Sequence, residues 1–179
     1  MGGAYFVTIC TENRKCLLGE VVNGEMALSK EGKILGEEWL KTTQVRPYVS
    51  LDLFVVMPNH FHGILFIDKE AEGTDCWGTA RCAPTIRQFR MMISESLPSI
   101  IRGFKSAATR RINILRNVPG APVWQRNYYE HVIRDEASLN RIRGYIINNP
   151  LSWELDRENP ERKGEDGFYR WLASFKTAP

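Results

Sequence analysis

The order of apolar runs and turn residues predicts an α+β fold: a four-stranded antiparallel sheet with helices packed on it. Three observations predict it. Leu51 to Met57 and Phe61 to Ile67 are apolar or β-branched runs flanking Pro58-Asn59, which reads as a β-hairpin. Ala4 to Thr11 (AYFVTICT) and Val123 to Arg134 (VWQRNYYEHVIR) read as a strand on either side of it. Two helix-length segments with a periodic apolar face separate these strands, and a third follows.

Each element has a local cause. Little precedes the first strand, which leaves room for a segment upstream of it. Asn13 to Gly24 carries turn residues around short apolar patches. Ser29 can cap a helix running to about Gln44, with Ile34, Leu35 and Trp39 as its buried stripe, and Pro47 breaks it. Ser96-Leu97-Pro98 opens a second helix to about Leu115, with Ile100, Ile101, Phe104, Ala108 and Leu115 spaced as a core face. Asp135 can cap a third from Glu136 to about Asn148, which Pro150 ends. The resulting order β-α-β-β-α-β-α is that of a ferredoxin-like sandwich, shared with RNA-recognition modules and several nucleases, plus a C-terminal helix.

The 179 residues, 43% of them hydrophobic, suit one domain over 1–179, with about 68–96 as a long loop or insertion and about 151–179 as a C-terminal extension. In the loop, Arg81, Arg87 and Arg90 interleave with Trp77 and Phe89, a composition that could grip phosphates and stack bases or simply be solvated. A formal net charge of +3 permits a polyanionic partner without demanding one. No run approaches a membrane span and no signal-peptide pattern opens the chain, so the expectation is a cytoplasmic protein with no membrane partner. Cys10, Cys16, Cys76 and Cys82 form two pairs with five intervening residues, wider than the usual structural zinc spacing, and read as free thiols.

Two of the three histidines, His60 and His62, stand two apart in the second strand of the hairpin. Strand alternation points both to one face and turns Phe61 to the other. Such a pair is half of a metal site, or alternatively two hydrogen-bonded sheet histidines. On the last helix Tyr145 and Asn149 are four residues apart and share a face. Asn149 offers a carbonyl oxygen as a further ligand, and Tyr145 offers a phenol as a nucleophile toward a phosphodiester. Arg102, Lys105 and Arg110 lie on the polar side of the second helix, while Arg126 and Arg134 share one side of the last strand. Each could hold phosphates or be solvated, and Arg126, Arg102 and Lys105 are the candidates for DNA contact. His131 is a candidate for orienting the site from behind the ligands, or a sheet histidine. Tyr128 and Tyr129 are rival nucleophiles by type, but they alternate across a strand, so that one packs in the core.

The stretches MPNHFHGILF and VWQRNYYEHVIRDEASLNRIRGYIINNP resemble the single-tyrosine HUH transposases, most closely the REP-associated tyrosine transposases. The resemblance runs from AYFVTICTENR to the NNP element. It implies that His60 and His62, with Phe61 as the bulky apolar residue between them, bind Mg²⁺ or Mn²⁺, that Tyr145 is the nucleophile and that Asn149 is the third ligand. It further implies cleavage and rejoining of single-stranded DNA at hairpins of repetitive extragenic palindromes, leaving a 5′-phosphotyrosine and a free 3′-hydroxyl, by a monomer or homodimer. The competing readings are a non-catalytic module that binds single-stranded nucleic acid and a metal nuclease in which water attacks.

Overall fold

The computed structural model describes residues 3–68 and 96–175. Four strands form the main sheet: β1 (Gly3–Cys10), β4 (Val49–Val56), β5 (His60–Ile67) and β6 (Tyr129–Ile133). Their spatial order is β4-β5-β1-β6, with every neighbour antiparallel. This is the ferredoxin-like order, in which β1 and the second hairpin strand occupy the centre. Leu97–Arg116 forms α3 and Glu136–Asn148 forms α4, as the periodicity predicts.

The first predicted helix is divided into α1 (Lys30–Leu40) and a single turn, α2 (Thr42–Val45). Ser29 caps α1, its Oγ accepting the Gly32 amide at 3.0 Å. Leu35 and Trp39 are fully buried there, with Ile34 packed at their margin. Between β1 and α1 the segment read as turns holds a separate hairpin, β2 (Gly19–Val22) with β3 (Glu25–Leu28). Leu115, expected in the core face of α3, is 43% exposed, and Ile112 one turn earlier is buried in its stead.

The last strand is shorter than its apolar run. Val123 and Trp124 turn inward, and Trp124 meets the sheet through an isolated bridge to Thr11. The Trp124 indole donates to the Lys105 carbonyl at 3.1 Å, anchoring this segment to α3 before the chain re-enters the sheet at Tyr129. After α4 the chain continues into α5 (Gly167–Ser174), an amphipathic helix capped by Asp166.

The sheet separates two cores. Val7, Ile9, Phe61 and Leu65 pack against Trp39 of α1 and Ile100 and Phe104 of α3. A Cβ on Gly63 would lie 2.8 Å from the Trp39 ring, so only glycine lets the indole lie this close to the sheet. Phe6, Ile64 and Ile133 face the other way, against Ile142 and Ile146 of α4 and Tyr169 and Leu172 of α5. Alternation along β1 and β5 thereby assigns one face to α1 and α3 and the other to α4 and α5. His60 and His62 belong to the second face. Cys10 and Cys16 are free thiols, while Cys76, Cys82 and the interleaved residues Trp77, Arg81, Arg87, Phe89 and Arg90 fall outside the described residues. Among the described residues, no helix is long and apolar enough to cross a membrane.

Candidate active site

The hairpin and helix α4 bring the sequence-predicted residues together. His60 and His62 are both fully buried, with ring centroids 4.4 Å apart. Tyr145 reaches them from α4, its hydroxyl 3.5 Å from His62 Nε2. Asn149, one turn later, is also fully buried. The turn residue Asn59 has a role that a turn signal does not reveal. Its Nδ2 donates to the carbonyls of Arg14 and Glu158, at 3.2 and 2.8 Å. Its Oδ1 therefore faces His60 Nδ1, 2.9 Å away, and takes that nitrogen's proton in a hydrogen bond. His60 Nε2 is left as a bare lone pair.

Asp156, in the C-terminal extension, is the group that sequence reasoning missed. It is 2% exposed. Its Oδ2 accepts from Asn149 Nδ2 at 2.7 Å and from the Tyr145 hydroxyl at 3.1 Å, and lies 3.7 Å from His60 Nε2. Its Oδ1 accepts the Glu158 amide at 2.7 Å. Donor atoms of His60, His62 and Asp156 all lie within 4.8 Å of one another. Asp156 stands in the stretch Glu154-Leu155-Asp156-Arg157, where no periodicity or spacing marks one carboxylate above another.

The electrostatics of this cluster suit a cation. Burial lowers the His60 pKa from its ordinary range, although Asp156 and Glu158 pull it back in part. Burial, and then His60, lowers that of His62 well below it. The lowered values favour the neutral imidazole, the form that can act as a ligand. His60 Nε2 and Asn149 Oδ1 are buried without a hydrogen-bond partner, an arrangement that costs free energy unless something binds them. Two imidazole nitrogens, an amide oxygen and a carboxylate fit a divalent ion, and the two orphaned atoms are among the proposed donors.

Tyr145 is enclosed on several sides. Phe168 stacks on its ring at 3.7 Å and 6°. The hydroxyl is also 3.3 Å from Asp166 Oδ2, which in turn accepts the Arg157 amide. Burial, followed by Tyr169, Asp156 and Asp166, raises the Tyr145 pKa far above its ordinary value. A cavity of about 180 Å³ opens beside it, lined by Tyr145, Asn149, Asp156, Asp166 and Phe168 among others.

The remaining candidates lie elsewhere. His131 faces the same side of the sheet, but its ring lies near Trp171 and Phe175 of the C-terminal segment, at centroid distances of 6.4 and 5.3 Å. Lys105 sits on α3, on the opposite face of the sheet, and donates to the carbonyls of Gln125 at 2.6 Å and Arg126 at 3.3 Å. The Arg126, Arg134, Arg102 and Arg110 side chains are exposed. Tyr129 packs with the second core and Tyr128 with the first.

No family model matches the chain. An uncharacterised protein of Haemophilus influenzae is 40% identical over 155 residues, which cover 87% of this chain and 84% of that protein. A second protein of the same organism, provisionally named a REP-associated tyrosine transposase, is 23% identical over 151 residues, covering 84% and 71%. Among solved structures, that of a REP-associated tyrosine transposase bound to a REP hairpin superimposes with a TM-score of 0.57 at 20% identity, over 84% of this chain and 68% of the other. Its fold is the one described above, and this chain carries a histidine pair, a helix tyrosine and an asparagine in one buried cluster on it. The chain shares the fold of that REP-associated tyrosine transposase.

Proposed function

We propose that the protein is a metal-dependent single-stranded DNA endonuclease and strand transferase that acts at hairpin-forming DNA, with Tyr145 as its nucleophile. The observation that carries this reading is the position of the Tyr145 hydroxyl, 3.1 Å from Asp156 and 3.5 Å from His62, at the edge of the His60–His62–Asp156 cluster. A phenol placed there can attack a phosphodiester held at the same cluster. His60, His62 and Asp156, with Asn149 Oδ1, would hold Mg²⁺ or Mn²⁺. When bound, such an ion withdraws charge from phosphate oxygens and lowers the cost of the anionic transition state.

The side chains supply the rest. Tyr145 passes its proton toward Asp156 Oδ2 and its oxygen forms a bond to phosphorus. The bond from phosphorus to the 3′ oxygen breaks, and that oxygen leaves with a proton from solvent as a free 3′-hydroxyl. The 5′-phosphate stays on Tyr145. Reversal by another 3′-hydroxyl rejoins DNA and returns the phenol proton from Asp156, with no input beyond the bond that was broken. Burial of the cluster limits attack by water on the phosphotyrosine. The family resemblance and the neighbour's REP hairpin support hairpin DNA as the partner, and the exposed Arg126 and Arg102 are candidate phosphate contacts.

The test is incubation of the protein with labelled single-stranded DNA carrying palindromes, with Mn²⁺ or EDTA, followed by a denaturing gel. A metal-dependent covalent adduct is expected. Cleavage with free 5′-phosphate ends and no adduct would instead establish attack by water, and binding that survives EDTA without cleavage would establish a non-catalytic module.

A further inference from the structure

Behind His62 lies a buried chain of hydrogen bonds that ends in a second tyrosine. His62 Nδ1 is 2.9 Å from Thr8 Oγ1, and Thr8 Oγ1 is 3.0 Å from the Tyr169 hydroxyl. Thr8 and Tyr169 are 2% and 7% exposed. Strand pairing fixes the first link, because Thr8 on β1 stands directly opposite His62 on β5. The second link comes from α5, where the Tyr169 ring is held edge-on by Tyr129 and covered by the Arg157 guanidinium.

The chain has a proton count that matters. Thr8 Oγ1 carries one proton and has two hydrogen-bonding neighbours among the described residues. If that proton goes to His62 Nδ1, the neutral imidazole carries its own hydrogen on Nε2, the nitrogen that faces Tyr145. In that tautomer Nε2 has no lone pair for an ion. If instead Nδ1 carries the hydrogen and donates to Thr8, the Thr8 proton is available to the Tyr169 oxygen 3.0 Å away, which accepts it in this arrangement. Nε2 is then bare. His60 reaches the same state by a simpler route, since Asn59 Oδ1 can only accept.

We propose that Tyr169, acting through Thr8, is a positioning residue that holds His62 in the Nδ1–H tautomer and leaves Nε2 free to bind the ion. This rests on the reading of His60 and His62 as ligands. It also gives Tyr169 a role distinct from that of Tyr145: its oxygen lies on the Nδ1 side of His62, and so does not join the phenol at Nε2. The segment from Trp153 to Ser174 thereby contributes twice, with Asp156 on the ion's side of the histidines and Tyr169 behind them.

The test measures Mn²⁺ binding by titration calorimetry and the His62 tautomer by long-range ¹H–¹⁵N correlation in metal-free protein. Tyr169→Phe keeps the ring and removes the acceptor, so Thr8 is left with His62 alone. The expected results are a 10- to 100-fold loss of Mn²⁺ affinity, the range typical for residues behind a metal-binding histidine, and a shift of His62 to the Nε2–H form. Thr8→Val is expected to lose affinity as well, while Thr8→Ser, which restores the hydroxyl, retains it. Wild-type affinity together with an unchanged tautomer in Tyr169→Phe overturns the relay. Equal Mn²⁺ affinity in wild type and His60→Ala overturns the ligand reading itself, and the relay with it.

Discussion

The two faces of the sheet use the same strands for opposite purposes. Toward α1 and α3, β1 and β5 present Val7, Ile9, Phe61 and Leu65 to a wall of Trp39, Ile100 and Phe104. Toward α4 and α5, the alternate positions present Thr8, His60 and His62 among Phe6 and Ile64. A shift of one residue in register would exchange the two sets, so the apolar face fixes where the histidines point. Burying apolar side chains contributes roughly 1.5–3 kcal/mol each, whereas a buried polar group without a partner costs about 1–3 kcal/mol. Both faces bury apolar side chains, and the site face in addition carries His60 Nε2 and Asn149 Oδ1, buried polar atoms without a partner that this packing supports. The division is incomplete, since Trp39 Nε1 is also buried without a partner.

Substitutions on each face test this division. The largest effect expected is from Tyr145→Phe, which removes the covalent DNA adduct entirely while changing stability by no more than about 1 kcal/mol. Adduct formation by that variant would transfer the nucleophile to another tyrosine. His60→Ala is expected to reduce cleavage, measured per folded molecule, by more than the roughly 10- to 100-fold typical of residues behind a ligand. Measured rates within that range would demote His60 from ligand to support.

On the opposite face, Trp39→Ala is expected to lower unfolding free energy by about 3–5 kcal/mol in denaturant titrations. The fraction that remains folded should cleave at the wild-type rate, and a slower rate per folded molecule would mean the faces are coupled. The histidines also give the site face a pH dependence. Burial lowers both pKa values in the folded chain, so below about pH 6.5 the unfolded chain binds protons that the folded chain refuses. Metal-free stability should therefore fall as pH drops from about 6.5 toward the lowered folded values, and His62→Ala should flatten that slope. The smallest effect is expected from Ser29→Ala at the α1 cap, about 1 kcal/mol with no change in metal affinity.

What the sequence disclosed follows the same logic of local against distant contacts. His60 and His62 were legible because strand alternation is a two-residue rule, and Tyr145 with Asn149 because a helix repeats every four. The main sheet and its helices were legible from runs and breaks, but the β2–β3 hairpin in the segment read as turns, helix α5 in the extension, and the departure of Trp124 from the predicted strand to an anchor on α3 were not. Asn59 looked like turn chemistry because its bond to His60 depends on which carbonyls its amide nitrogen finds, at Arg14 and Glu158. Asp156 and Tyr169 gave no signal. Their partners, His60 for one and Thr8 for the other, are remote in sequence, and a single carboxylate in an irregular stretch resembles any solvated one.

That remoteness governs when the site can exist. Thr8 lies on β1 and Tyr169 on α5, so the histidines acquire both neighbours only after residues 161 positions apart are available to fold. A ribosome-bound chain that ends before Asp156 can pair β1 with β5 and place Tyr145 on its helix, yet it lacks the carboxylate beside the tyrosine and the hydroxyl behind the threonine. During synthesis Tyr145 therefore emerges before Asp156 and Tyr169, the residues that complete its surroundings.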